Sequence, residues 1–362
     1  MRKVAIVGGG IIGLYTGLNL IRSGFEVELF EEDPTIGEPQ HCTGLVSDRT
    51  ALKLCRLLGH DIIQNIVDTL YILSPPSFKV KLKAKRKVFI INRKRVEEKL
   101  ADLFKNNGGV IYTDSPVLCI RGKELTYRLN SVCYKKTYDY IINAGGVKTA
   151  IRRVGSLNNF LPAYQLDIKL ASKCDNIIEV IIDKRLNPFF FIWKVPVNKK
   201  CDLVRVGTAS FHNPKKLLYK IIKSIHYEQV VNQYSGHIVL TGPIKPFYED
   251  GIIYIGDAAG QTKLTTGGGI AYGLSATDYL CEALLNDDIN IYEKKWTVKW
   301  SHEILLQKIF RRMFLVLNQK WISFLLKYLD QIGILNSLVT EGEIDTHMTS
   351  LLKVSIKAIK LP

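Results

Sequence analysis

Several features that would define other classes of protein are missing from this sequence. The seven cysteines are scattered along the 362 residues and include no Cys-x-x-Cys pair, which argues against zinc, iron–sulfur and disulfide frameworks, so no metal site is predicted. No apolar run approaches the ~18 residues of a membrane span, and the first strand-like segment starts too early to leave room for a signal peptide. We therefore expect a cytoplasmic protein.

Acidic residues are scarce relative to basic ones. The chain has 50 Lys and Arg against 34 Asp and Glu, a formal net charge of +16. No nucleic-acid-binding motif is recognisable, so no nucleic-acid partner is predicted. An anionic membrane is the other candidate partner, because each basic residue near such a surface contributes about 1 kcal/mol. We predict peripheral docking on the inner face of the cell membrane, while a basic composition without any partner remains an alternative.

The N-terminal segment has the pattern of a nucleotide-binding βαβ unit. A short apolar strand leads into the turn Gly8–Gly13, a helix-like segment follows, and a second strand stops at Glu31. Such glycines permit a tight turn, a close approach of diphosphate to the backbone and close helix–strand packing. The acid can accept hydrogen bonds from a ribose and would repel a 2′-phosphate, which favours FAD or NAD over NADP. The residues predicted to contact the nucleotide are Gly8, Gly10, Ile12, Gly13 and Glu31.

A second glycine-rich motif favours FAD over NAD. The strand-like run Gly251–Ile255 delivers Gly256-Asp257 to its carboxyl end, where ligands lie in open α/β sheets. The aspartate can hold a ribityl hydroxyl, and the following helix start can stabilise negative charge on a reduced isoalloxazine. The alternative is that the aspartate only caps that helix. The predicted FAD contacts here are Asp257, Gly268, Gly269 and Ile270.

The order of predicted elements indicates an α/β protein, α+β overall. We predict a Rossmann-type FAD-binding domain, an inserted antiparallel sheet that binds substrate, and a C-terminal helical region. The expected boundaries are 1–68, 88–155 and 246–285 for the FAD-binding domain, 69–87 and 156–245 for the sheet, and 286–362 for the helices.

These motifs together resemble the geranylgeranyl reductase family of the p-hydroxybenzoate hydroxylase flavoprotein superfamily. The segment Ala144–Arg152 is similar to the superfamily turn Ala-Asp-Gly-x-x-Ser-x-Val-Arg, with Gly145 in place of the acid and Thr149 in place of the serine. Gly256–Ile270 is similar to the reductase version of the second motif, although Leu264 stands where a proline is usual. The resemblance extends to about residue 285.

The resemblance implies further FAD contacts. The helix that begins near Asn92-Arg93 resembles one whose arginine contacts the flavin nucleotide, and Pro39–Leu45 resembles a loop that brings a cysteine beside the flavin. That cysteine could donate a proton or only fill space. The contacts implied in this way are Cys42, Thr43, Arg93 and Val117, with Cys42 as the candidate catalytic residue.

An aromatic segment resembles the motif Tyr-x-Trp-x-Phe-Pro that lines the prenyl-binding cavity in this family. Here phenylalanine replaces the tyrosine and valine replaces the phenylalanine. Strand alternation places three of its residues on one face, which suits an isoprenoid chain and equally an ordinary sheet core. The predicted substrate contacts are Phe191, Trp193, Val195 and Pro196.

The resemblance implies FAD-dependent reduction of isolated C=C bonds in geranylgeranyl chains of archaeal-type membrane lipids. Protonation of the alkene would accompany hydride transfer from reduced flavin N5, and the electrons would come from a nicotinamide or a small redox protein. The alternative is a flavin-dependent monooxygenase of a hydrophobic small molecule.

The segment Glu303–Leu329 has aromatic and aliphatic residues at three- and four-residue spacing, from Phe310 to Tyr328, interleaved with Lys and Arg. It could lie in a membrane interface, close over the substrate or pack as a helical cap.

Overall fold

The computed structural model describes residues 1–359, which form two compact units. The first unit comprises Met1–Gln40, Arg93–Phe160 and Val239–Ser301, and the second comprises His41–Asn92, Leu161–Ile238 and the chain from His302 onwards.

The strands are, in chain order, β1 Lys3–Val7, β2 Glu26–Phe30, β3 Leu45–Ser47, β4 Ile63–Ser74, β5 Phe78–Ile91, β6 Val110–Tyr112, β7 Val117–Arg121, β8 Glu124–Leu129, β9 Val132–Thr137, β10 Tyr140–Asn143, β11 Phe160–Leu170, β12 Ile177–Ile181, β13 Ile192–Pro196, β14 Leu203–Ala209, β15 Tyr227–Val239, β16 Tyr248–Glu249 and β17 Ile252–Tyr254. The α-helices are α1 Ile11–Arg22, α2 Asp48–Leu58, α3 Arg93–Asn106, α4 Gly146–Val154, α5 Pro214–Ile222, α6 Ile270–Leu285, α7 Asn290–Val316, α8 Gln319–Gln331, α9 Ile334–Glu341 and α10 His347–Ile359. Short 3₁₀ helices cover His60–Ile62, Gly256–Ala259 and Ile344–Thr346.

The first unit is built on a six-stranded sheet of order β16-β17-β10-β1-β2-β6, parallel except for β16. Its central strands are buried because helices cover them, which explains their continuous apolar sequence. Helix α1 approaches α3 closely at Gly17, where an added Cβ would lie 2.3 Å from the Phe104 ring. A three-stranded sheet, β7-β8-β9, packs its Leu125 and Tyr127 against Phe30. The predicted Rossmann-type domain is confirmed.

The second unit is built on an eight-stranded sheet of order β15-β11-β14-β13-β12-β4-β5-β3. Strand β12 runs parallel to β4, whereas the pairs β11–β14, β14–β13, β13–β12, β4–β5 and β5–β3 are antiparallel, so the sheet is mixed rather than purely antiparallel. One face packs against α5 and carries an apolar core. That core includes Tyr164, Leu166, Ile168, Leu170, Ile192, Val204, Val206, Leu218 and Ile222.

The domain boundaries differ most from the sequence prediction at two places, with smaller shifts at 88–92, which lie in the second unit, and at 156–160 and 239–245, which lie in the first. Residues 41–68 belong to the second unit, because β3 and β4 both pair with β5, as in Val46 opposite Phe89. Residues 286–301 belong to the first unit, because Trp296 packs on Phe247 and Tyr272. The C-terminal helices therefore do not form a region of their own.

The C-terminal segment is not one continuous amphipathic helix. Helix α7 ends at Val316, and Asn318 accepts a hydrogen bond from the Trp321 N–H to cap α8. Within the described residues, no single helix has the length and apolar composition needed to cross a bilayer; only α8 and α9 taken together do, and they are bent by 71°.

Candidate functional site

The turn at the start of α1 uses its glycines in two ways. Gly8 has φ +103°, and a Cβ on it would lie 2.6 Å from the Ala144 carbonyl oxygen. A Cβ on Gly13 would lie 2.0 Å from the Gly8 carbonyl oxygen. Gly10 is different, since the nearest atom to its added Cβ is Glu97 Oε1 at 3.9 Å. Two of these glycines allow backbone packing, whereas Gly10 leaves open space for a ligand.

Glu31 follows β2 directly and is held by backbone N–H groups on either side of it. Its carboxylate accepts hydrogen bonds from the backbone N–H groups of Gly9 and Asp33, at 2.5 and 2.9 Å. Burial raises the pKa of Glu31, and the two N–H donors oppose that shift. The backbone of the glycine turn therefore fixes the Glu31 side chain. The carboxylate can still accept further hydrogen bonds, which suits a ribose hydroxyl.

Asp257 lies half-buried in the 3₁₀ turn after β17. A Cβ on Gly269 would lie 2.9 Å from Asp257 Oδ1, so glycine is needed beside this carboxylate. Burial raises the pKa of Asp257, and the charge of Arg93 opposes the shift. The turn is held by Gln261, which accepts from the Gly256 N–H at 2.7 Å and donates to the Tyr292 hydroxyl.

The two glycine motifs meet in the first unit through the packing of α1 on α6. Ile12 fills the space left by Gly273, whose added Cβ would lie 2.5 Å from Ile12 Cδ1, and it also contacts Gly256. Further along the helices, the hydroxyls of Thr16 and Thr277 are 2.7 Å apart. These contacts bring the N termini of α1 and α6 to the same end of the pair. Two positive helix ends, open space above Gly10 and two carboxylates form a set of groups suited to FAD.

Arg93 and Glu97 add a feature that the sequence analysis missed. Arg93 donates to the carboxylate of Glu97, which also accepts from the Ile11 N–H at 3.1 Å. The four-residue spacing of these charges on a predicted helix was the available signal. Val117 is half-buried at the start of β7 and packs against the cluster around Phe30.

Cys42 and Thr43 lie in the second unit, whereas the other predicted FAD contacts lie in the first. The buried Arg205 donates to the carbonyl oxygens of both residues, at 3.3 and 2.9 Å, and forms a bidentate pair with Asp167 at 2.6 and 2.8 Å. Thr43 Oγ1 donates to Gln165 Oε1 at 3.0 Å. This network was not predicted, because 38 residues separate the ion-pair partners.

The Tyr234 hydroxyl completes the network by donating to Asp167 Oδ2 at 3.0 Å. Burial, together with the charge of Asp167, raises the pKa of Tyr234 to about 12. Tyr234 therefore remains protonated and a donor at neutral pH. The Cys42 thiol accepts from the Gly44 N–H at 3.3 Å, so the sulfur as well as the backbone of this loop is positioned.

Two of the predicted substrate residues, Phe191 and Trp193, form an aromatic cluster with Phe190 at β13. Phe190 and Phe191 stack with ring centroids 4.3 Å apart, and Trp193 meets Phe191 edge-on at 6.0 Å. The indole lies over β14 at Gly207, where an added Cβ would be 2.3 Å from its ring. Val195 and Pro196, like Trp193, are buried. Phe191 precedes the strand, which begins at Ile192.

The comparisons with known proteins agree with this arrangement. No protein-family model matches the chain. An uncharacterized protein of Methanocaldococcus jannaschii is 27% identical over 97% of the chain and 94% of its own length. Digeranylgeranylglycerophospholipid reductase 2 of Methanothermobacter thermautotrophicus is 24% identical over 90% of the chain and 91% of its length. Further archaeal proteins with that reductase name match at 23–24% identity.

Among solved structures, a geranylgeranyl bacteriochlorophyll reductase-like protein from Thermoplasma acidophilum superposes with a TM-score of 0.82, at 20% identity over 99% of the chain and 98% of its own. The resemblance to the geranylgeranyl reductase family is confirmed. A flavin-dependent brominase, Bmp2, shares the fold with a TM-score of 0.72 at 15% identity, over 97% of the chain and 93% of its own. Similarity to these reductases over most of the chain, together with the fold shared with flavin-dependent enzymes, supports an FAD-dependent oxidoreductase.

Proposed function

We propose that this protein reduces isolated C=C bonds in geranylgeranyl chains of archaeal-type membrane lipids. The observation that carries the proposal is the aromatic cluster of Phe190, Phe191 and Trp193 in the second unit, in which Phe191 is half-buried and the other two are buried, an apolar environment suited to an isoprenoid chain. Support also comes from the reductase names of relatives that align over most of the chain. The halogenase neighbours share the fold without favouring their own chemistry.

An unactivated trisubstituted alkene accepts hydride poorly, because nothing stabilises the carbanion that would result. Proton delivery that gives the alkene tertiary carbocation character removes this difficulty. Bound reduced FAD supplies the hydride. The aromatic faces of Phe191 and Trp193 exclude water and stabilise positive charge on the alkene carbons. We assign proton delivery to Cys42, whose thiol the Gly44 N–H orients and whose backbone Arg205 fixes.

Two partners belong to this proposal. A transiently bound nicotinamide or a small redox protein would reduce the FAD. An anionic membrane surface would present the lipid, and the exposed aromatic residues of the C-terminal helices suit that surface. Those residues are Phe310, Trp321, Phe324 and Tyr328.

The test is anaerobic incubation of the chemically reduced holoenzyme with a geranylgeranyl lipid, followed by mass spectrometry. The proposal predicts stepwise addition of two hydrogens for each bond reduced. A product that gains oxygen only when air is admitted would identify a monooxygenase and contradict the proposal. A matched Cys42→Ser variant should bind FAD normally and reduce the lipid more slowly, because a hydroxyl is a weaker acid than a thiol.

A further inference from the structure

Strand β5 carries a row of positive charge. Lysine occupies every second position of this strand from residue 79 to residue 87, and each of these side chains is exposed. The members of this lysine row are Lys79, Lys81, Lys83, Lys85 and Lys87. Because a strand rises about 3.4 Å per residue, the Cα atoms of neighbouring lysines are roughly 7 Å apart. Their charges repel one another, since this spacing is shorter than the Debye length in physiological salt.

The lysine row has no carboxylate partner. None of its side chains forms an ion pair with any residue that the structure describes. Arg86 on the same strand behaves differently, since its guanidinium lies 3.9 Å from the carboxylate of Asp48 and 3.6 Å from that of Glu343. The row therefore presents positive charge that attracts an anionic partner from outside the chain.

The same strand has an open edge. Strand β3 pairs only with residues 88–90 of β5, and within residues 1–359 no other strand pairs with residues 78–83 on the side away from β4. Unpaired backbone groups along such an edge can pair with a further strand, while lysines on it repel a second copy of the same chain. A strand with carboxylates at alternate positions has the same repeat of roughly 7 Å and would be attracted instead.

A membrane suits this surface less well than an acidic strand does. Phe78 and Leu82 of β5 pack against Leu335 of α9, so the alternating lysines at 79, 81 and 83 lie on the opposite face of the sheet. Helix α8, whose exposed aromatic residues are proposed to contact the membrane, packs in the same cluster through Leu326. The lysine row and α8 therefore lie on opposite faces of the sheet.

Nucleic acid also suits this surface less well. Proteins that bind single strands stack the bases on exposed aromatic rings. The aromatic ring opposite Lys81 is that of Tyr71, which is half-buried. The ammonium groups of Lys79 and Lys81 already lie over this ring, 4.6 and 5.6 Å from its centroid.

We propose that the lysine row and the open edge of β5 bind an extended acidic segment of a partner protein, which joins the eight-stranded sheet as a strand beside β5. Backbone hydrogen bonds supply the affinity, and the lysines select an acidic sequence. This inference goes beyond the proposed function, because neither the lysine row nor its partner takes part in the reduction.

The test uses the full-length holoenzyme and a fluorescent peptide in which Glu alternates with Thr. Fluorescence anisotropy gives its dissociation constant. Lys81→Glu/Lys83→Glu should weaken binding at least about 10-fold, because attraction is replaced by repulsion along the incoming strand. The matched control is Lys216→Glu/Lys220→Glu, which makes the same change in charge at exposed positions of α5 and should bind within about twofold of wild type.

A second peptide of the same sequence carries an N-methylated backbone, so it keeps the charge and loses the N–H donors. It should bind the wild-type protein at least about 10-fold more weakly, because strand pairing needs those donors. Equal affinity for the two peptides would show that the edge is not used and would overturn the proposal. Equal losses in the two double variants would also overturn it, because general attraction of anions by a basic chain would then explain them.

Failure of the wild-type protein to bind the acidic peptide would contradict the proposal and leave the lysines as protection of the edge against self-association. Oligothymidine or anionic vesicles that bind more tightly than the peptide, and lose binding in Lys81→Glu/Lys83→Glu, would assign the row to another class of partner and refute it. Thermal melting checks folding, and Lys81→Gln/Lys83→Gln gives the same comparison if the reversed charges prevent folding. Reduction of prenyl lipid should be unchanged in these variants, so the proposed function stands or falls separately.

Discussion

The first unit shapes its cofactor surface mainly with backbone, whereas the second shapes its predicted substrate surface with side chains. In the first unit, Gly8 and Gly13 allow main-chain atoms to meet where any Cβ would clash. In the second unit, the surface of the sheet is formed by side chains, namely the ion pair of Arg205 with Asp167 and the indole of Trp193, which lies over Gly207. A turn that requires glycine can be recognised from the glycine spacing in the sequence. A network of side chains from distant segments cannot be recognised in this way. This difference explains why the cofactor was easier to predict than the substrate.

The largest expected effect comes from replacing glycines of the first unit, some of which allow backbone packing while Gly10 leaves space for the ligand. Gly13→Ala should destabilise the fold severely, because its Cβ would lie 2.0 Å from the Gly8 carbonyl oxygen. Gly10→Ala should fold normally and lose FAD, because its Cβ enters only the open space above the turn. Thermal melting and flavin absorbance check both variants. If Gly10→Ala retained FAD at wild-type affinity, the diphosphate would not approach there.

In the second unit the corresponding test is Arg205→Met. Removal of the cation leaves Asp167 buried and uncompensated, so we expect a loss of about 3–5 kcal/mol in the free energy of unfolding. The double variant Arg205→Met/Asp167→Leu should recover much of this loss. Urea denaturation measures both. Equal stability of the single and double variants would show that the pair matters only for holding the Cys42–Thr43 loop.

Asp257→Asn should weaken FAD binding about 10- to 100-fold through loss of a charge-assisted hydrogen bond. Burial raises the pKa of Asp257. In the flavin-free protein, ionisation of this carboxyl therefore lowers the free energy of unfolding as the pH rises above the ordinary aspartate range. The flavin-free variant should therefore be at least as stable as wild type at about pH 7, and this advantage should shrink as the pH falls. Melting curves at several pH values measure the stability difference between variant and wild type. A difference that grows as the pH falls would contradict this prediction.

The smallest expected effect concerns the membrane. Liposome flotation should show association with anionic vesicles that weakens as salt rises without vanishing, because apolar burial is insensitive to screening. Trp321→Ser/Phe324→Ser should reduce flotation. Leu157→Ser, at a similarly exposed position in the first unit, should not. Failure of wild type to float on anionic and neutral vesicles alike would leave the basic charge without a membrane role.

Local patterns predicted several elements closely. The sequence spans of helix α2, Asp48–Leu58, and of strand β14, Leu203–Ala209, can each be recognised from the local spacing of apolar residues. Strand β15 was missed because it lies at the edge of its sheet and is largely exposed, so it lacks the apolar pattern of a buried strand. Ile12 contacts Gly273, which lies far from it in the chain, and such a pair cannot be predicted from a local sequence pattern.

The central claim is that cofactor binding depends mainly on the first unit and substrate selection on the second, and Trp193→Ala tests it most directly. FAD affinity and kcat/KM should be measured for prenyl substrates of increasing length. We expect FAD affinity within about twofold of wild type and a loss of kcat/KM that grows with chain length, since the lost ring leaves apolar contact area unmade. If the variant instead loses FAD while kcat/KM keeps its dependence on length, Trp193 does not bind the substrate and the claim is wrong.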